Sequence, residues 1–184
     1  MFVISEIRML KAQDLICALA IRLIPQAWSY TSLSAFTGLS TSQSHISCKR
    51  LGDAKLLRQD AGTAWQVAGL NLAEFLTHGV PYVFPARLGE VTRGIPTAHS
   101  AAFVASAFVA IEGATPLVWA TMDGQMKGNS LEPLHPCQLR CIAKPGGEPI
   151  YRALVCVDLL RIGQTRERAW AADTLNALLQ HAER

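Results

Sequence analysis

The sequence predicts an α+β protein, mainly helical, with a cluster of short helices first and a mixed second half that ends in two helices. Three observations carry this. Apolar residues recur at helical steps from Ile7 to Ile24 and again towards the C-terminus. A Gly38-Leu39-Ser40 turn separates two short helical segments, and a Pro- and Gly-rich stretch interrupts the periodicity between residues 80 and 100.

The first helix is expected over Ile7–Ile24, where Ile7, Leu10, Leu15, Leu19 and Leu23 fall at three- and four-residue steps. Arg8, Lys11, Asp14 and Arg22 lie largely between them, and Pro25 cannot continue the helical hydrogen bonding. A second helix is expected over Ser32–Thr37, with Leu33 and Phe36 on its inner face and Gly38 as a left-handed stop. Ser40 then suits the N-cap of a third helix running to about Leu51. Cys48 and Leu51 face its core side, with Ser44 one turn earlier. After Leu57, the segment Arg58 to Val67 reads as a short hairpin turning at Asp60-Ala61-Gly62, with Trp65 and Val67 returning.

The run Leu39-Ser-Thr-Ser-Gln-Ser-His-Ile-Ser-Cys-Lys-Arg-Leu51, followed by Ala54-Lys-Leu-Leu57, is similar to the recognition helix and following turn of MarR-like winged-helix regulators. The resemblance covers roughly residues 8–66 and implies an N-terminal winged helix-turn-helix. It departs at Ser44, where such families put a branched apolar residue, and at Ile46, where a polar residue is more common. The resemblance implies that Thr41, Ser42, Gln43, His45, Ile46, Lys49, Arg50 and the hairpin residue Arg58 contact double-stranded DNA. Hydroxyls at a helix start suit phosphates, and Gln43 has the donor–acceptor pair that reads adenine. Ile46 is suited to a thymine methyl, and Lys49 and Arg50 to the backbone. The alternative is an ordinary solvated helix face.

Charge agrees with the DNA reading. The net charge is +3, and residues 1–60 carry seven Lys/Arg against four Asp/Glu, while the rest is balanced at ten each. The domain division expected is 1–68 for DNA binding and 69–184 for dimerisation or partner binding.

In the second half, Leu70–His78 reads as a helix stopped by Gly79, and 80–100 as an ordered loop. Arg87 and Arg93 in that loop either bind an anion or tie it to carboxylates and carbonyls of its own core, the second being preferred. Residues 116–120 and 124–128 suggest short strands or turns, and 129–134 a connector. Helices are expected over Pro149–Ile162 and, after Gly163 and a Thr165 cap, to about His181. The second of these carries Arg166, Glu167 and Arg168 outside, with Trp170, Leu175, Leu178 and Leu179 inside. This layout resembles antitoxin-like regulators of the abortive-infection type. That likeness implies a toxin or sensor protein as partner.

The composition, 50% hydrophobic and 17% charged, excludes a disordered chain and points to a large core or a surface covered by a second subunit. No run of 18 uninterrupted apolar residues exists, and Ala101–Ile111 reads as a buried strand or helix. Lys11, Asp14 and Arg22 argue against a signal peptide, so a cytoplasmic protein with five reduced core cysteines is expected. His135, Cys137 and Cys141 lack a fourth zinc ligand, and no phosphate loop, dinucleotide fingerprint or nucleophile elbow is present. Neither cofactor nor catalytic set is therefore expected. The function expected is a homodimeric, sequence-specific repressor of its own operon. The rival is an antitoxin or adaptor whose helix-turn-helix has lost DNA binding.

Overall fold

A computed structural model describes residues 9–24, 27–59, 64–108 and 115–181. The protein is α+β, with helices predominating over two small sheets. Two compact units divide it: Met1–Glu74 with Leu134–Tyr151 and Asn176–Arg184, and Phe75–Pro133 with Arg152–Leu175. The expected single cut at residue 68 is therefore corrected. The chain leaves the first unit near Glu74 and returns to it twice.

In the first unit α1 (Ala12–Leu23) is the central helix, packed by α2 (Tyr30–Thr37), α3 (Thr41–Asp53) and α7 (Cys137–Ile142). It starts later than the periodicity predicts, and residues 1–8 lie outside the described residues. Asp14 explains the start, because its Oδ2 accepts from the Lys11 backbone N–H (2.8 Å), an N-terminal cap. Being surrounded, α1 is buried all round from Asp14 to Ala20, so Asp14 is a core residue rather than part of a solvent face. Ser29 and Ser32 cap α2 reciprocally. Gly38 closes α2 at φ 71°, where a Cβ would also strike the Arg140 side chain.

A two-stranded antiparallel hairpin follows α3, with β1 (Leu57–Arg58) pairing β2 (Gln66–Val67) as Leu57↔Val67 and Arg58↔Gln66. The turn expected at Asp60-Ala61-Gly62 lies outside the described residues, as does Pro25. The chain then enters α4 (Gly69–Glu74).

All five cysteines are buried thiols, four of them in this unit. Burial pushes Cys48, Cys137, Cys141 and Cys156 up to about 12 and raises Cys17 as well. A thiolate is the reactive form, so at about pH 8 a thiol reagent should label none within minutes in the native protein. All five should react after denaturation. Rapid labelling of even one in the native state would contradict this core.

The second unit opens with a π-helical turn, Phe75–Gly79, that runs directly into α5 (Val80–Val83). Gly79 is thus not the helix stop its type suggests. It admits the Phe75 ring, which lies 2.7 Å from where a Cβ would sit. Residues 88–96 form a nine-residue strand, β3 (Leu88–Pro96), rather than part of a loop. β3 pairs antiparallel with β4 (Leu117–Ala120) and with β5 (Met126–Leu131), and β4 and β5 pair in parallel, closing the three strands on themselves. Residues 129–131, expected in a connector, are the end of β5.

Such a small closed sheet forces backbones together, which explains the glycines that disguise it. A Cβ on Gly94 would overlap the Trp119 carbonyl and meet Val118. We expect Gly94→Ala to cost about 2–3 kcal/mol of stability, measured by urea unfolding, because rigid backbone cannot give way. A neutral result would mean the strands do not close.

Beyond β3 lie a 3-10 turn (Ala98–Ser100) and α6 (Ala102–Ala105), and the buried element expected over 101–111 is corrected: among its described residues, 101–108, the helix has one turn and only Ala101 and Val104 are buried. Helices α8 (Glu148–Ile162) and α9 (Thr165–His181) fall close to expectation. Glu167 accepts from the Gln164 N–H (2.7 Å), so Gln164 rather than Thr165 is the capped position. Among the described residues no helix is long and apolar enough to cross a membrane.

The core of the second unit is organised by one carboxylate on α8. Asp158 Oδ2 accepts from Thr97 Oγ1 and Trp119 Nε1 (both 2.7 Å), and its Oδ1 from Arg161 Nη1 (2.7 Å). Arg161 also donates to the carbonyls of Phe84, Pro85 and Glu132. Burial pushes the Asp158 carboxyl up, while Arg161, Thr97 and Trp119 hold it back.

Candidate nucleic-acid interface

Ser40 Oγ accepts from Gln43 N (3.1 Å) and Gln43 Oε1 accepts from Ser40 N (2.8 Å), so α3 begins with a reciprocal capping box. Thr41, Ser42, Gln43, His45, Ile46 and Lys49 are exposed, and Ile46, at 45%, is unusually open for its type. Ser44, Ser47, Cys48 and Leu51 form the opposite, buried face. Ser44 fits there because its hydroxyl donates to the Ser40 carbonyl (3.1 Å), which relieves the cost of burying it.

Arg50 is the correction on this helix. It was expected on the outer face, against a phosphate backbone; it is 4% exposed and points inward. Its Nε and Nη2 form a fork on the two Asp14 oxygens (2.6 and 2.5 Å), and Nη2 also reaches Ser47 Oγ (3.4 Å). The hydrogen bonds it donates to Asp14 hold the guanidinium above its usual range. Arg50 lies three residues after buried Ser47 but four after exposed Ile46, at the edge of the buried face, and its long side chain turns inward to reach Asp14. Asp14, which the sequence reading set between apolar positions, supplies the buried partner. A carboxylate directly before the unbroken apolar run Leu15–Ile21 was the available signal.

His45 is exposed and lies flat on Tyr30 of α2, ring centroids 3.4 Å apart. Trp28 meets Tyr30 edge-on and donates through Nε1 to the Trp65 carbonyl (3.2 Å). The Trp65 ring itself covers Gly52, where a Cβ would come within 2.7 Å. Aromatic contacts thus bind the start of α2, the middle of α3 and the foot of β2 to one another. They fix the direction in which the outer face of α3 points.

Cations continue from the helix into the hairpin. Lys49, Lys55 and Arg58 are exposed, and Asp53 is the acidic side chain between them among the described residues. Gln43 is more constrained than its type suggests, since the capping box already uses its carbonyl oxygen. With the cap intact, its oxygen is oriented towards Ser40, which leaves the amide N–H groups as the freer contacts.

The other residues weighed as functional lie elsewhere. Arg87 forms an exposed, loose ion pair with Glu132 (3.9 Å), and His99 Nε2 is 3.3 Å from the Thr115 carbonyl. Both contacts are of the kind that ties a segment to its own unit. His135 Nδ1 accepts from Cys137 N (3.2 Å), and burial lowers its basicity. Among the described residues no three His, Cys, Asp or Glu side chains are grouped to hold a metal ion.

No family model, curated protein or solved structure matches this chain.

Proposed function

We propose that this chain is a sequence-specific DNA-binding transcription regulator of the winged helix-turn-helix type, MarR-like in its first unit. In this reading it binds rather than catalyses, and acts as a homodimeric repressor of its own operon. One observation carries the reading. α3 has a polar outer face, Thr41 to Lys49, while the Asp14–Arg50 pair anchors its other face to α1. Further support comes from the left-handed Gly38 turn between α2 and α3 and from the hairpin that follows.

Thirteen residues make a rod of roughly 20 Å, and the major groove accepts a helix of that girth. Thr41 and Ser42, with the amides of the first turn, would meet phosphate, as would Lys49 and the hairpin's Arg58. Ile46 would pack on a thymine methyl. Gln43, whose oxygen serves the cap, would donate to a purine acceptor instead of making the two-bond contact to adenine. In a dimer the two rods would enter successive grooves about one helical turn apart.

A mobility-shift titration on the DNA upstream of its own reading frame tests this. Lys49→Ala should weaken binding to every sequence alike, whereas Ile46→Ala should relax preference at one base pair, at about 1–3 kcal/mol. Folded protein that shifts no duplex at low salt would refute it.

A second reading, an antitoxin or adaptor that contacts a protein, is favoured by exposed apolar residues of the second unit. Tyr82 is 85% exposed, and Val83, Leu88 and Val91 are each more than half exposed. Co-purification with a neighbouring gene product, free of nucleic acid, would favour it.

A further inference from the structure

The first unit carries a cation that is distant from α3 in sequence and close to its start in space. Arg140 stands on α7, in the part of the chain expected from sequence to serve dimerisation or partner binding. Cys137, Gln138 and Cys141 form the buried side of α7, which packs against α1 and α2. Arg140 is exposed. Its Nη1 donates to the carbonyl of Gly38 (3.1 Å), in the turn between α2 and α3. The approach is close, since a Cβ on Gly38 would come within 2.7 Å of both Cδ and Nη1 of Arg140. Glycine is therefore required there twice over, by the positive φ and by the arginine lying across the turn.

Ser40, the N-cap of α3, follows Gly38 by two residues, a span of at most about 7 Å. Arg140 thus lies at the end of the rod where Thr41 and Ser42 are exposed. Among the described residues the guanidinium makes one hydrogen bond, which leaves four of its five N–H groups. A planar fork with unspent donors, held in place by one of them, matches the oxygens of a phosphate. The charge of the segment agrees, because residues 134–147 contain Arg140 and Lys144 and no Asp or Glu. A hydrogen bond to one carbonyl needs no such charge, whereas a polyanion does. We propose, on the reading that α3 meets DNA, that Arg140 contacts a backbone phosphate at the start of α3. The DNA-binding surface then joins α3 and the hairpin to a residue 102 positions from the turn it lies on. Arg140 adds affinity and fixes register; it does not read bases.

The test is the affinity of the full chain for one duplex over about 50–200 mM salt, read by fluorescence anisotropy. Each phosphate contact adds about 0.9 to the slope of log affinity against log salt. Arg140→Gln should remove that much, so that wild type loses about 3.5-fold more affinity than the variant over the same range. Arg140→Lys keeps the charge but not the fork, so it should bind less tightly and hold the wild-type slope. Arg140→Met retains the stem on Gly38 and serves if the glutamine variant does not fold. An unchanged slope in the folded neutral variant would overturn the assignment. So would a slope that Arg140→Lys flattens as much as Arg140→Gln, which would make Arg140 a structural tie to Gly38. In both cases a slope that Lys49→Ala does flatten leaves the DNA reading of α3 standing. Wild type that binds no duplex at the lowest salt would refute that reading and the role of Arg140 with it.

Discussion

Replacing Arg50 by Ala should destabilise the protein by about 3–5 kcal/mol and lower its melting temperature by about 10 °C. The physical reason is asymmetric. Asp14 is fully buried, and its two oxygens are satisfied by the Arg50 fork and one backbone N–H. Removing the guanidinium strands a carboxylate in the core between α1 and α3, where water cannot reach it. The pair itself need not be strongly stabilising, because burying both charges costs nearly what their attraction returns. The double variant Asp14→Leu/Arg50→Met should therefore recover most of the lost stability, less about 1 kcal/mol for the cap at Lys11. Thermal unfolding followed by circular dichroism measures all three proteins. A stable Arg50→Ala variant that has merely lost DNA affinity would restore Arg50 to the outer face and contradict the buried geometry.

The second large effect is expected in the other unit. Asp158→Ala should cost about 3–5 kcal/mol, since it strands the Trp119 indole N–H, the Thr97 hydroxyl and the Arg161 guanidinium together. The Arg161 side chain is 4% exposed, so the charge left behind has little water to turn to. Asp158→Asn retains the shape and one acceptor oxygen, and should fall between wild type and alanine. Urea unfolding watched through tryptophan fluorescence follows the loss at Trp119, which is itself fully buried. Equal stability of the alanine variant and the wild type would mean that this network holds nothing together.

The first unit was largely legible because its signals are local. Gly38 and Ser40 sit where a left-handed turn and capping require them, and the chain obeys at both, whereas α2 starts at Tyr30 behind a Ser29 cap, two residues before the expected Ser32. What the sequence hid there was non-local. Whether Asp14 faces solvent depends on α7, which arrives from residues 137–142 to help enclose α1. The same enclosure decides that Arg50 turns inward. In the second unit Gly89, Gly94 and Pro96 look like punctuation. In fact Gly94 relieves backbone crowding in a closed three-stranded sheet, a demand that only the partner strands reveal. Asp158 carried a signal that local reading passes over: an acid inside the apolar run from Leu154 to Leu160 needs a partner, and none lies in the run itself. Of the eight residues expected to meet DNA, Thr41, Ser42, Gln43, His45, Ile46, Lys49 and Arg58 are exposed, and Arg50 is not.

Salt dependence tests the central proposal most directly, because contacts to phosphate release counterions and those to bases do not. The measurement is fluorescence anisotropy of one duplex over about 50–200 mM salt, for wild type and for Lys49→Ala/Arg58→Ala. If the outer face of α3 and the hairpin lie on DNA, log affinity falls linearly with log salt, and the double variant's slope is shallower by about two. A slope that the two substitutions leave unchanged, or no binding at the lowest salt by protein with native circular dichroism, would contradict it.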